Sequence, residues 1–266
     1  MNELFTTDTK TKVKNYSEKR KDDFMARQSK KNVDYTDVPI TLDEHPFYGF
    51  ELDPDQKYFV DQIWNDDKKL ILCNAKAGSG KTQMAFAVAN LLYLYGKYPG
   101  GIIYSVSPYG EKKQGFLPGD LTEKSEVYFE PIYQAIIKCD LFPAKVIKSE
   151  SLTSLSDKQE QPGYVKCLTH TYLRGTNFED SVIIIDEAQN YSFDELKKTL
   201  TRIHDSCKVI VIGHTEQRDT DDKSNGFEKY IKYYKRIEDS GDCRIAVCKL
   251  TYNYRGWISQ TADDCY

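Results

Sequence analysis

The segment 75–82 has the residue types and spacing of a phosphate-binding loop. It reads Ala-Lys-Ala-Gly-Ser-Gly-Lys-Thr. Gly78 and Gly80 allow the backbone to turn its N–H groups toward phosphate oxygens. Lys81 adds a full positive charge, and Thr82 offers a hydroxyl to Mg²⁺. The loop therefore predicts binding of a nucleoside triphosphate with Mg²⁺, and by itself it fits a kinase, a GTPase or a motor protein.

The sequence on either side of this loop supplies the context that the motif needs. An apolar run at 70–73 predicts a buried strand before the loop, and apolar residues between 84 and 92 recur at helical spacing after it. The first position is Ala75 rather than Gly, a small residue that leaves the turn enough room. The residues predicted to contact the nucleotide are Ala75, Lys76, Ala77, Gly78, Ser79, Gly80, Lys81, Thr82 and Gln83.

Two acidic residues follow the aliphatic run at 182–185. The carboxyl end of a central strand is where α/β sheets bind their ligands. Asp186 is therefore predicted to hold Mg²⁺ beside Thr82, and Glu187 to polarise a water for attack on the γ-phosphate. Gln217, on the loop after the next predicted strand, is predicted to orient this water or to sense the phosphate. The alternatives are an ordinary acidic strand end and a surface glutamine.

The apolar patterning predicts the fold class that must position these residues. Continuous apolar runs are typical of strands in a parallel sheet that is covered on both faces, and they occur at 182–185 and 208–213. Residues 102–107 are a further predicted strand, because Pro and Gly residues precede it and Pro108 follows it. Helical patterns occur at 53–64, 193–202 and 226–237. We therefore expect an α/β protein with a mostly parallel central sheet flanked by helices. Two shorter runs, 145–147 and 164–168, are interpreted as a hairpin or an insertion.

Charge and composition divide the chain into two regions. The 266 residues carry a net charge of −4, yet residues 10–31 hold nine basic residues against three acidic ones. Residues 1–40 are interpreted as a polar, basic N-terminal arm, which is either solvated or in contact with nucleic acid or a neighbouring subunit. Residues 41–266 are expected to form a single domain with an insertion around 108–168.

Cysteine use and hydropathy bear on the expected location. Seven cysteines are scattered without a paired Cys-x-x-Cys and without a secretory leader ahead of them, which favours a reducing, cytoplasmic setting. No apolar stretch approaches the roughly 20 residues that cross a bilayer, so we expect no membrane span.

The order of the motifs resembles the phosphate-starvation-inducible PhoH-like ATPases, relatives of the superfamily 1 helicase core, over roughly residues 50 to 230. The matching segments are AGSGKT at 77–82, GFLPGDL at 115–121, YLRGT at 172–176, IIDEAQN at 184–190 and LTRI at 200–203. The resemblance implies a RecA-like P-loop core that hydrolyses ATP with Mg²⁺. It also implies RNA or single-stranded nucleic acid as a partner, without establishing unwinding. Helicases use two such cores, so an oligomer such as a hexameric ring is expected to supply the missing face.

Three further positions follow from the same resemblance. Gln56 lies in a segment similar to the one that reads adenine in helicase-like motors, because an amide both donates to and accepts from the base. Arg255 lies in a segment similar to the one whose arginine reaches the γ-phosphate, and it is predicted to be a catalytic arginine acting in trans or within its own subunit. His214 is a departure, since the family usually has Asp after Gly213.

Three functions remain open from the sequence. The first is an ATPase acting on RNA or single-stranded nucleic acid. The second is a nucleotide-controlled assembly module without a nucleic-acid substrate, which the acidic balance and His214 favour slightly. The third is a small-molecule kinase, although Asp186 and Glu187 suit water activation better than transfer to a metabolite.

Overall fold

The computed structural model describes residues 35–42, 48–107, 127–148, 163–170, 178–215 and 226–263. The chain divides into two units, residues 1–38 and 39–266, and everything below concerns the second. Gln217 and the segments 115–121 and 172–176 lie outside the described residues, as does most of the basic arm. Their predicted roles therefore stay predictions.

The described strands form one six-stranded sheet in the order β3-β2-β4-β5-β1-β6, and all of its pairings are parallel. The strands are β1 (Leu70–Ala75), β2 (Gly101–Val106), β3 (Val165–Thr169), β4 (Ser181–Asp186), β5 (Lys208–Gly213) and β6 (Ile245–Leu250). This topology confirms the predicted α/β class with a parallel central sheet. It also places β5 between the strand that enters the phosphate-binding loop and the strand that ends in Asp186.

Seven α-helices are described around this sheet. They are α1 (Pro54–Trp64), α2 (Lys81–Leu94), α3 (Glu130–Lys138), α4 (Pro143–Val146), α5 (Phe193–Leu200), α6 (Gly226–Asp239) and α7 (Trp257–Asp263). Short 3₁₀ turns occur at Val127–Phe129 and Ala188–Asn190. The helix predicted at 53–64 begins with a capping box, in which Asp53 accepts from the backbone of Gln56 and Gln56 accepts from the backbone of Asp53.

Helices cover both faces of the sheet because strand side chains alternate between the faces. On one face, Leu72, Ile183 and Val209 pack in a single cluster with Leu196 of α5 and Phe227 of α6. Their neighbours along the strands are also buried, and α1 and α2 contact the sheet there. Within the described residues, no helix is both long and apolar enough to span a membrane.

The structure corrects the interpretation of the two short apolar runs. Residues 145–147 do not form a strand paired in a hairpin, because Pro143–Val146 is a helical turn. Val165–Thr169 is an edge strand that pairs in parallel with β2. An edge strand has a neighbour on one side only, so its partly exposed, polar-interrupted pattern is weaker than that of the central strands. The sheet therefore extends into the region expected to be an insertion.

Candidate functional site

The phosphate-binding loop follows β1 and leads into α2, as its motif demands. Gly78 and Gly80 have positive φ angles of 69° and 81°, and Gly80 caps the helix. A Cβ atom on Gly78 would lie 2.5 Å from the Asn253 side-chain oxygen, so glycine is required there for space as well as conformation. The loop N–H groups at the start of α2 form a helix N-terminus suited to phosphate.

Lys81 lies between the two carboxylates that follow β4. Its Nζ atom is 2.6 Å from Oε1 of Glu187 and 3.5 Å from Oδ1 of Asp186. Burial alone would lower the pKa of Lys81, but the two carboxylates raise it well above its usual value. Lys81 is therefore a permanent cation at the mouth of the loop.

Asp186 is fully buried and is held by hydroxyl and backbone donors. Its Oδ2 atom accepts from the hydroxyl of Thr82 at 2.6 Å and from the hydroxyl of Tyr104 at 2.9 Å. Its Oδ1 atom accepts from the backbone N–H of Glu187 at 2.7 Å. The structure thus brings the two predicted metal ligands, Thr82 and Asp186, into direct contact.

Glu187 has a strained backbone and a second side-chain partner. Its φ of 51° and ψ of 43° lie in the left-handed region, which non-glycine residues adopt at a cost of about 1–2 kcal/mol. Its Oε2 atom accepts from the amide of Gln189 at 2.5 Å, and the oxygen of that amide accepts from the backbone N–H of His214 at 3.0 Å. A Cβ on Gly213 would lie 2.7 Å from the Gln189 oxygen.

Sequence reasoning gave Gln189 and Tyr104 no role. Gln189 lies two positions after Glu187, the predicted base, and this short spacing is the sequence feature that could have indicated a role for it. Tyr104 lies in an apolar strand, where a tyrosine is usually a packing residue. Only the strand pairing shows that its hydroxyl reaches Asp186.

Gln56 lies beside the loop, but both ends of its amide bind the protein. Its nitrogen donates to the backbone carbonyl of Ser79 at 2.9 Å, and its oxygen accepts from the backbone N–H of Asp53 at 3.2 Å. Gln56 therefore joins the cap of α1 to the phosphate-binding loop. Adenine reading by this residue stays a prediction, and it requires the amide to exchange one of these partners.

Arg255 lies against the loop of its own chain. The backbone N–H of Tyr254 donates to the carbonyl of Gly78 at 3.0 Å. A Cβ on Gly78 would be 2.7 Å from Cγ of Arg255. The segment after β6 thus packs directly on the turn that would surround the phosphates.

These residues line one cleft with a volume of about 630 Å³. Of the residues predicted for the site, those that line it are Gln56, Gly78, Gly80, Lys81, Thr82, Gln83, Glu187 and Arg255. Ala75 is buried at the end of β1, while Lys76 and Ala77 lead from that strand into the turn. His214 is buried behind Gln189, at the exit of β5.

The chemistry of these groups fits a magnesium nucleotide. Ser79 Oγ is buried and has no hydrogen-bond partner among the described residues. The left-handed glycines and Lys81 suit a polyphosphate. A threonine hydroxyl and a single carboxylate are oxygen ligands of the kind that Mg²⁺ accepts when phosphates and waters complete its shell. Thr82 and Asp186 are therefore the residues that would hold the metal.

The sequence of the chain is similar to those of known proteins. A family model described as PhoH-like protein matches residues 51–255. The chain is 31% identical over 233 residues to protein PhoH2 of Bacillus subtilis, and the aligned residues cover 85% of this chain and 49% of that protein. It is 32% identical over 195 residues to protein PhoH of Escherichia coli, covering 70% of this chain and 52% of that protein. The chain thus spans about half the length of these relatives.

The similarity to solved structures is lower. A crystal structure of the Pyrococcus furiosus Hef helicase domain has a TM-score of 0.38 and 17% identity, covering 74% of this chain and 38% of that one. The Pif1 helicase from Candida albicans has a TM-score of 0.35 and 18% identity, covering 76% and 41% of the two chains.

Proposed function

The chain belongs to the PhoH-like protein family. We propose that it hydrolyses ATP with Mg²⁺ and couples this hydrolysis to the binding or remodelling of RNA or single-stranded nucleic acid. The observation that carries the proposal is that Lys81 lies between the carboxylates of Asp186 and Glu187, while the hydroxyl of Thr82 donates to Asp186. These four side chains come from segments more than 100 positions apart, so only the folded sheet brings them together.

Each residue of the cleft has a distinct task in this proposal. The loop backbone and Lys81 bind the phosphates, and binding draws the lysine away from Glu187. The released carboxylate then accepts a proton from the attacking water. Arg255, beside Gly78, stabilises charge on the transferred group. Bound Mg²⁺ would neutralise charge on the phosphate oxygens, with Thr82 and Asp186 as its protein ligands.

Exposed aromatic side chains in the segment around Arg255 support the nucleic-acid part of the proposal. Tyr252 and Tyr254 are about half exposed, and Trp257 is 75% exposed. Aromatic rings of this kind stack on unpaired bases with little sequence preference. Because the same rings and Ile258 also suit a protein contact, we propose an oligomer, such as a hexameric ring, in which one wall of each cleft comes from a neighbour.

The six described cysteines are all free thiols. Four of them, Cys73, Cys139, Cys207 and Cys248, are buried. Free thiols suit a reducing compartment. We therefore place the protein in the cytoplasm as part of the same proposal.

A nucleotide-controlled assembly module is the alternative. The net charge is −4, and His214 replaces the acid that is usual after Gly213. In that case ATP binding orders an oligomer and hydrolysis releases it, with no polynucleotide involved.

One experiment separates these functions. ATP turnover of the full chain is measured with and without single-stranded RNA and DNA at low and moderate salt, with the Lys81→Ala variant as a control for contaminating ATPases. Stimulation of several-fold, with binding that weakens steeply as salt rises, supports the nucleic-acid function because phosphate contacts release counterions. Turnover without stimulation or salt-sensitive binding supports the assembly module. Turnover equal to that of Lys81→Ala contradicts both.

A further inference from the structure

Tyr104 is a fully buried tyrosine in the middle of β2. Its own register partner on β4 is Ile184, whereas Asp186 pairs with Val106. Two residues along a strand advance the chain by about 6.6 Å, which is close to the length of a tyrosine side chain. The phenol therefore leans along the strand and places its hydroxyl 2.9 Å from Oδ2 of Asp186.

The ring of Tyr104 is fixed by its surroundings. Phe129 packs against it edge to face, with the ring centroids 6.4 Å apart and an interplanar angle of 76°. The Asp186 carboxylate offers only acceptor oxygens to this hydroxyl, so Tyr104 is the donor of the hydrogen bond between them. An immobile donor in this position restrains the carboxylate that accepts from it.

A buried carboxylate needs hydrogen-bond donors, and those donors fix its orientation. Asp186 is fully buried, and Thr82 and Tyr104 share its Oδ2 atom. Thr82 lies at the cleft end of this arrangement, and its hydroxyl is also a predicted ligand of the metal. Tyr104 approaches from within the sheet and is not one of the residues that line the cleft.

We propose that Tyr104 is a positioning residue, which holds the Asp186 carboxylate in the orientation that binds a divalent cation beside Thr82. The proposal rests on the proposed function, because it assigns to Asp186 the role of metal ligand. Outer partners of metal-binding groups typically change metal affinity by about 10–100-fold when they are removed.

Tyr191 provides a matched control in the same part of the fold. It is 1% exposed, and its hydroxyl pairs with Ser105 Oγ at 3.1 Å. Ser105 is the next residue after Tyr104, on the opposite face of β2. Tyr191→Phe therefore removes a buried hydroxyl beside the site without removing a donor to Asp186.

The test measures metal binding rather than turnover. Mn²⁺ is titrated into the complex of the full chain with ADP, and free Mn²⁺ is followed by electron paramagnetic resonance. We expect Tyr104→Phe to weaken Mn²⁺ binding by about 10-fold or more, and Tyr191→Phe by less than about 3-fold. Binding of a fluorescent ADP analogue in EDTA should be the same in both variants. Equal Mn²⁺ affinity in Tyr104→Phe and the wild type, or equal weakening in both variants, overturns the proposal.

A donor-retaining replacement keeps the proposal testable if Tyr104→Phe folds poorly. Incorporating 4-aminophenylalanine at position 104 preserves the ring and supplies an N–H donor in place of the hydroxyl. We expect its Mn²⁺ affinity to lie within about 3-fold of the wild type, whereas a loss of 10-fold or more contradicts a positioning role through hydrogen bonding. A wild-type chain that binds neither ADP nor Mn²⁺–ADP would instead contradict the proposed function, so the two failures are distinguishable.

Discussion

The ammonium group of Lys81 lies 2.6 Å from Oε1 of Glu187, the carboxylate to which we assign activation of water. Lys81, the predicted phosphate-binding cation, and Glu187, the proposed base, therefore form an ion pair in the cleft. An incoming triphosphate has to compete with Glu187 for Lys81, and success in that competition releases the base. In the function that we propose, phosphate binding therefore also frees the catalytic base.

Arg255 is expected to act within its own chain, because Tyr254 is bonded to Gly78 of the same loop. Arg255→Ala should lower ATP turnover by about 100-fold, because losing one donor that stabilises negative charge in the transition state has an effect of this size in other enzymes. Mixing Arg255→Ala with Lys81→Ala subunits should restore no activity beyond the sum of the two. Arg244→Ala is the control, since Arg244 is exposed and paired with Asp242. Recovery of turnover on mixing would show instead that the arginine acts in trans.

Gly78→Ala is expected to weaken nucleotide binding by about 10-fold or more, because the added Cβ would lie 2.5 Å from the Asn253 side chain. Gly96→Ala separates this clash from backbone strain. Gly96 has a φ of 70°, nearly that of Gly78, but nothing lies within 4 Å of its Cβ position. Both variants should lose about 1 kcal/mol of stability from the left-handed backbone. Titration with a fluorescent ADP analogue should show weaker binding only for Gly78→Ala, and equal affinities would contradict the packing of residues 253–255 on the loop.

Lys208 makes stability depend on pH. It is fully buried at the start of β5, and its Nζ atom donates to the carbonyls of Ile63 and Asn65, both at 2.6 Å. Burial lowers the pKa of Lys208 to about 7. A neutral amine still has two N–H donors, enough for both carbonyls.

The sign of the pH dependence follows from the protons bound in each state. Above the folded pKa of about 7, Lys208 is neutral in the folded chain but still protonated in the unfolded chain, whose lysine pKa is about 10.4. The unfolded state then binds more protons, so stability rises with pH in this window and is flat below it. Between pH 7 and 8.5 we expect a gain of order 1 kcal/mol, which Lys208→Met should abolish.

Urea unfolding at several pH values in this window measures the effect of Lys208. Burial raises the pKa of the Cys139 and Cys248 thiols in the folded chain. Above about pH 8.5 the same thiols ionise in the unfolded chain, which lowers folding stability as pH rises and opposes the effect of Lys208. The comparison therefore ends at pH 8.5. Equal pH slopes for the wild type and Lys208→Met would contradict a buried neutral lysine.

The sequence was most informative where a local pattern determines the structure. The phosphate-binding loop needs only a strand, two glycines and a helix start, and the aliphatic run before Asp186 is long enough to identify a central strand. These patterns predicted the parallel α/β fold correctly, and the structure brings Lys81, Thr82 and their carboxylate partners together.

Contacts that depend on strand register were beyond prediction from one sequence. Tyr104 reaches Asp186 only because β2 and β4 pair in one register, and a shift by one residue would turn its ring to the other face. The sequence singled out the apolar run at 164–168 but did not place it at the edge of the parallel sheet, because polar residues interrupt this short strand. The hydrogen bond from the Gln56 amide to the Ser79 carbonyl likewise depends on how α1 packs beside the loop.

The most direct test of Glu187 as the catalytic base measures ATP binding and ATP hydrolysis by the Glu187→Gln variant and by the wild type. Glutamine keeps the size of the side chain but removes the base and the charge that competes for Lys81. We expect turnover to fall by at least ~100-fold, while ATP binds as tightly as to the wild type or more tightly. Unaltered turnover, or loss of binding together with turnover, would contradict the role assigned to Glu187.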